Sequence, residues 1–210
     1  MHAENFFTAE EKKRIEQAVA AAEQRTSGEI VPMVVGASSR YAEAELAGLV
    51  IGLVVGTAGA LAFGYRWGIA QMELAWPLMG ALLGLFLCHI PALKGRLVRK
   101  REIVHAVHLR ALAAFTAHGL HHTRAHNGIL IFVSLLERRV AILADRAINE
   151  KVGPGTWDEI VKLLTVALKS ADACAGLCAA IERCGEILRS HFPRAAADRN
   201  ELEDKLVTEE

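Results

Sequence analysis

The sequence predicts a small α/β domain, its sheet of about three to four strands covered by helices, interrupted by a two-helix transmembrane hairpin. Three observations predict it. Two long uncharged apolar runs lie close together between Leu46 and Leu93. Short β-type runs stand on either side of them, at Glu29–Val35, Ile129–Leu135 and Val140–Ala144. Amphipathic helical periods alternate with those β-type runs outside the apolar segment. The expected organisation is therefore residues 1–45 as the first part of the domain and 46–93 as the hairpin. Residues 94–193 form the second part and 194–210 a polar tail.

The first helix opens on Thr8-Ala9-Glu10-Glu11, a capping box in which the Thr8 hydroxyl accepts from the Glu11 N–H and Glu11 reaches back. It runs to about Arg25, with Ile15, Ala18, Val19 and Ala22 on one face. Thr26-Ser27-Gly28 ends it, and Glu29–Val35 reads as a strand in which Pro32 points to an edge position or a bulge. A short helix from Tyr41 can feed into the first apolar run. This pre-hairpin part holds one helix and one strand, too little to bury its apolar faces alone. It is expected to dock on the later segment, which makes the hairpin an insertion within one domain.

Leu46–Phe63 carries no charge and, at about 1.5 Å per residue, nearly crosses a hydrocarbon core of roughly 30 Å. Leu74–Leu93 follows without a formal charge. A buried soluble helix is seldom apolar around its whole circumference for such a length. Tyr65, Trp67 and Trp76 in and beside the connector suit the headgroup interface. Gly48, Gly52 and Gly56 make a small-residue stripe, with Gly80 and Gly84 repeating the spacing in the second run. The stripe is expected to meet the second span; a second copy of the chain is the alternative partner. His89 and Pro91 lie near a span end, and nothing at their depth suggests proton transfer.

Lys94, Arg96, Arg99, Lys100 and Arg101 follow the second run, whereas the connector carries only Arg66. The positive-inside rule then places both halves of the domain in the cytosol and the protein in the cell (inner) membrane, with two spans. The same five cations are candidates for contact with anionic lipid headgroups. The polar start, with Glu10–Arg14 all charged, does not read as a cleavable signal peptide.

Beyond the cations, Glu102–His118 reads as a helix with Val104, Val107, Ala111 and Phe115 in a stripe. Asn127-Gly128 ends a loop, and Glu137-Arg138 turns a β-hairpin whose first strand is central. Thr156-Trp157-Asp158-Glu159 reads as a second capping box opening a helix with Trp157, Ile160, Val161, Leu164 and Leu168 inward. A last helix covers about Ala171–His191 and stops before Pro193. Asp198–Glu210 reads as a loose tail or a frayed helix.

Net charge is zero, from 24 basic and 24 acidic side chains, so no global field points to nucleic acid. Cys174 and Cys178 share a helical face; their ordinary reading is helix packing in a reducing compartment, with a thiolate metal pair as the sharper one. His105, His108, His118, His121, His122 and His126 are dense, but Gly119 and Asn127-Gly128 interrupt any helix that would align them for a metal. Glu29, Glu137 and Asp145 lie near expected strand ends and are the candidate ligands for a hard divalent cation, against the ordinary reading of surface residues in ion pairs. No glycine-rich phosphate loop and no aspartyl-phosphate motif is recognisable.

Several stretches resemble the TPM domain: Phe7-Thr8-Ala9-Glu10-Glu11, Thr26-Ser27-Gly28-Glu29-Ile30-Val31, and above all Asn127 through Val140. Ala144-Asp145-Arg146-Ala147-Ile148 and Trp157 continue the resemblance. It is strongest to a branch of bacterial membrane proteins with a hairpin inside the domain. The resemblance implies an α/β sandwich, divalent-metal binding and an acid phosphatase activity. This chain departs from exported members in facing the cytosol, where scarce free calcium would leave an ordinary weak site empty. The expectation is thus a membrane-anchored scaffold or accessory factor for other membrane proteins, with a metal-dependent hydrolase as the alternative.

Overall fold

A computed structural model describes residues 2–64, 75–88, 90, 98–170, 172–194 and 200–209. The chain divides into two compact units, one of residues 1–38 with 105–210 and one of residues 39–104.

In the first unit, α1 (Ala9–Glu23) starts on the capping box read from sequence. The Thr8 N–H donates to Glu11 Oε2 at 2.8 Å and the Glu11 N–H to Thr8 Oγ1 at 3.2 Å. Strands β1 (Glu29–Val35), β2 (Gly128–Ser134), β3 (Arg139–Ala144) and β4 (Val207–Glu209) form one mixed sheet in the order β3-β2-β1-β4. β1 pairs parallel with β2 and β4, and β2 pairs antiparallel with β3. Ile30, Val34, Ile129, Ile131 and Val133 join one core with Ile15, Val19, Leu164, Leu177 and Ile181 from the helices. Val31, Met33, Leu130 and Phe132 point to the other face and are buried as well. That two-sided burial explains why β1 and β2 read as continuous apolar runs.

Pro32 behaves as an edge residue within a strand that has two neighbours. The N–H groups of odd-numbered residues in β1 face β2, as with Glu29 donating to the Asn127 carbonyl. Even-numbered ones face the other way, as with Gly36 donating to the Glu209 carbonyl. β4 begins opposite Met33, so the missing N–H of Pro32 falls where β1 has no strand beside it.

Among the described residues, the remaining α-helices of this unit are α4 (Lys100–Ala117, whose first residues belong to the other unit), α5 (Arg146–Asn149), α6 (Thr156–Lys169) and α7 (Ala173–His191). Among the described residues, α2 (Ala42–Gly59, continued by a π-helical turn through Gly64) and α3 (Ala75–Cys88) lie in the second unit.

Three expectations are corrected here. The tail is neither loose nor helical at its end, because Val207–Glu209 forms β4. Thr156 is not a capping residue: Gly155 holds the N-cap position in the left-handed region, φ 82°, and the Thr156 hydroxyl donates back to the Gly153 carbonyl. Val104 is exposed, and the inward side of α4 is Val107, Ala111 and Ala114.

Candidate functional site

The second unit inverts the usual arrangement of a helix pair. α2 and α3 run antiparallel and meet through their smallest residues. A methyl group on Gly52 would strike the Gly80 carbonyl oxygen, one on Gly48 the Cys88 sulfur, and one on Gly56 the Trp76 carbonyl. Gly80 and Gly84 are blocked in return by the carbonyls of Gly52 and Gly48. The glycine stripe of α2 is thus packed against α3 within the chain. Large apolar side chains point outward instead: Val54 is 61% exposed, Leu82 66%, Phe86 69% and Leu61 74%. Polar groups close on the pair itself, the Thr57 hydroxyl donating to Leu53 and the Cys88 thiol to Ala44. Among the described residues one helix, Ala42–Ala62, is long and apolar enough to cross a membrane; Ala75–Cys88 is apolar but shorter. Arg99, Lys100 and Arg101 are exposed at the start of α4. Lys94, Arg96, Tyr65, Trp67, His89 and Pro91 lie outside the described residues.

The carboxylates read as metal candidates do not converge. Glu29 opens β1, opposite Gly128, and Asp145 follows β3 at that same end of the sheet. With β2 between them, their backbones stand about 10 Å apart. Glu137 sits in the β2–β3 turn at the opposite end, roughly 20 Å away along β2. One cation cannot touch all three. Each is also engaged locally. Glu29 accepts from the N–H groups of Glu201 and Leu202 at 3.0 and 3.3 Å. Glu137 accepts from the Ser38 N–H and the Ser134 hydroxyl. Asp145 caps α5 through the Arg146 N–H and meets His126 Nδ1 at 3.2 Å. These residues therefore do not fit a shared divalent ion. Among the described residues no group of three or more His, Cys, Asp or Glu side chains is arranged to hold a metal.

A different carboxylate carries the strongest perturbation. Glu23, at the end of α1, accepts from the Ile30 N–H at 2.7 Å, in the stretch of β1 that β4 does not reach. Its carboxyl is pushed up to about 9, chiefly by burial and in smaller part by the neighbouring Asp204 and Glu29. Burial raises Glu29 too, opposed by its two backbone donors. Glu23, Glu29 and Asp204 line one small cavity of about 100 Å³. Glu23 was missed from sequence because its burial depends on the returning tail. Its place at a helix end, before a turn, looks like an ordinary surface position.

The histidines scatter as the helix breakers suggest. His105 and His108 are exposed on α4, His118 stands 3.5 Å from Glu209, and His126 pairs with Asp145. The His121 and His122 rings lie tilted at 43° to each other, with centroids 3.8 Å apart. Cys174 and Cys178 do sit side by side, but burial pushes the Cys178 thiol up to about 11, which disfavours the thiolate a metal would need. The Thr26-Ser27-Gly28 motif is structural. The Thr26 hydroxyl and the Ser27 N–H both donate to the Phe192 carbonyl, and the Asn127 amide donates to the Ser27 carbonyl.

Residues 101–187 match the family model of the TPM domain. Among solved structures, the chain is similar to the NMR structure of BA42 protein from the psychrophilic bacterium Bizionia argentinensis. The TM-score is 0.62, with 98% of this chain and 97% of that chain covered at 22% identity, a likeness of fold. No curated protein matches.

Proposed function

We propose, from the premise that this chain carries a TPM domain across residues 101–187, that it is a membrane-anchored scaffold or accessory factor for other membrane proteins. The single observation that carries this reading is the inside-out helix pair. In water, burying a Leu or Phe side chain is worth about 1.5–3 kcal/mol, so a soluble pair puts such residues at the contact. Here glycines occupy the contact and the large side chains face out. That sorting suits a solvent as apolar as leucine, where helices associate by close backbone approach. On this reading the two helices span the bacterial inner membrane and both flanking segments lie in the cytosol. Lys94, Arg96, Arg99, Lys100 and Arg101 meet anionic headgroups, each contributing about 1 kcal/mol near such a surface.

The hydrolase alternative rested on Glu29, Glu137 and Asp145 acting around one cation, and their separation removes that support. The scaffold reading needs no such convergence. Alkaline carbonate washing of membranes containing the full chain tests the anchor: it stays in the pellet if the helices span, and its release contradicts the reading. A cytosol-dependent reporter fused after Glu210 is expected to be active, and one placed between Gly64 and Leu74 silent; the reverse pattern would overturn the orientation.

A further inference from the structure

A cleft of about 350 Å³ opens on the first unit, where the end of β2 meets the starts of α1 and α7 and the end of α6. Its floor is apolar: Phe7, Leu135, Ala173 and Cys174 are each less than one-tenth exposed. Phe6 stands edge-on to Phe7, with centroids 4.8 Å apart, and extends the wall. The rim is cationic. Arg138 and Lys169 are exposed at the cleft, and among the described residues neither has an ion-pair partner.

The other polar groups there are already engaged. The Ser134 hydroxyl donates to Glu137, and Glu11 is held by Thr8, whose donors keep its carboxyl below the usual range. Arg138 also occupies a costly position. Its φ is +50°, a conformation that glycine adopts freely and other residues adopt at about 1 kcal/mol or more. The strain places a long cation where Gly or Asn would turn the hairpin more cheaply. The first turn of α7 adds backbone N–H groups, since Asp172 makes no side-chain cap.

A small inorganic anion would leave the apolar floor unused. A long acyl chain needs an enclosed tunnel, whereas this cleft is open along one side. We propose that the cleft holds the C-terminal end of a partner protein, its last apolar side chain on the Phe7–Leu135 floor and its terminal carboxylate between Arg138 and Lys169. Captured chain ends of this kind combine a charged head with one side-chain pocket. The inference deepens the scaffold reading by naming the part of a partner that is held.

The test uses the full chain in phosphatidylcholine nanodiscs and fluorescein-labelled hexapeptides ending in Val, Leu, Ile or Phe. Each is compared as free acid and as C-terminal amide. At least one acid is expected to bind with a Kd of about 10–100 μM, and its amide about tenfold more weakly. Arg138→Gly relieves the turn, so it is expected to weaken the acid by about fivefold while leaving Tm unchanged or higher. Lys169→Ala should weaken binding in the same direction. The proposal is overturned if no acid binds below about 1 mM, if acid and amide bind alike, or if Arg138→Gly leaves the affinity untouched. Displacement of the peptide by oleate at lower concentration would overturn it in favour of a lipid ligand. Loss of the chain to a carbonate wash would sink the membrane reading and leave these affinities standing.

Discussion

The two units sort the same residue types in opposite directions. In the sheet unit, Phe132, Ile131, Leu164 and Ile181 are fully buried, and exposed positions are mostly polar. In the helix pair, glycines fill the contact while Leu82, Phe86, Val54 and Leu61 face outward. Apolar residues follow whatever relieves them of water. In the sheet unit that is the protein core. In the helix pair, on the proposed membrane reading, it is the surroundings.

Mutations can break this comparison, beginning with the largest effect. Phe132→Ala empties a site with no exposure and is expected to cost about 3–5 kcal/mol, read as a lowered Tm and denaturant midpoint of the sheet unit. In the helix pair the sensitive position should be the smallest residue. Gly52→Leu drives a side chain into the Gly80 carbonyl and should cost about 2–4 kcal/mol in a bicelle unfolding titration. On the membrane reading, the large, outward Leu82→Ala should cost less than about 1 kcal/mol there, because lipid would replace the lost contacts. If Leu82→Ala is the costlier of the two, the inversion is wrong.

A third variant sharpens the comparison on the polar side of the sheet unit. Glu23 is raised from 4.5 to about 9 in the folded state, so between those values the folded chain holds a proton the unfolded chain has released. Its contribution to stability is therefore full below pH 4.5 and lost as pH rises through about 9. Glu23→Gln removes that slope. The stability difference between variant and parent, read from Tm, should grow in the variant's favour as pH rises from 4.5 towards 9. A constant difference across that range would contradict the burial of Glu23. The smallest effect belongs to Arg110, whose guanidinium meets Glu209 at 2.8 Å with both side chains more than a third exposed. Arg110→Ala should cost less than about 1 kcal/mol, seen only as faster hydrogen exchange along β4.

Much of this was readable from particular residues. Thr8 and Glu11 announced a capping box, and the four-residue glycine spacing of α2 met its match in α3 because small residues at that period can only be there for contact. The β-hairpin around Glu137-Arg138 was also legible, and it held a consequence against the metal set. A hairpin turn places Glu137 at one end of the strands and Asp145, after the return strand, at the other. β4 was not legible: Val-Thr-Glu is too short to show a period, and its strand conformation comes from pairing with β1. Pro32 pointed to an edge, and the edge exists only until β4 begins. Thr156 gave a false cap because Gly155, with its positive φ, had already taken the position. Glu23 stayed hidden because one of the groups that surround it, Asp204, comes from far along the chain.

The inversion itself can be read directly with spin labels at Leu82→Cys and Phe86→Cys, in a chain whose four native cysteines are replaced by alanine and which is reconstituted in bilayers. Lipid-facing sites collide with dissolved oxygen and exclude a water-soluble nickel chelate. Both labels are expected to show high oxygen and low nickel accessibility, with mobility higher than at a buried site such as Ala180→Cys. Ready collision with the nickel chelate at either position would place these side chains in water, and the account of the helix pair as a membrane element would fall.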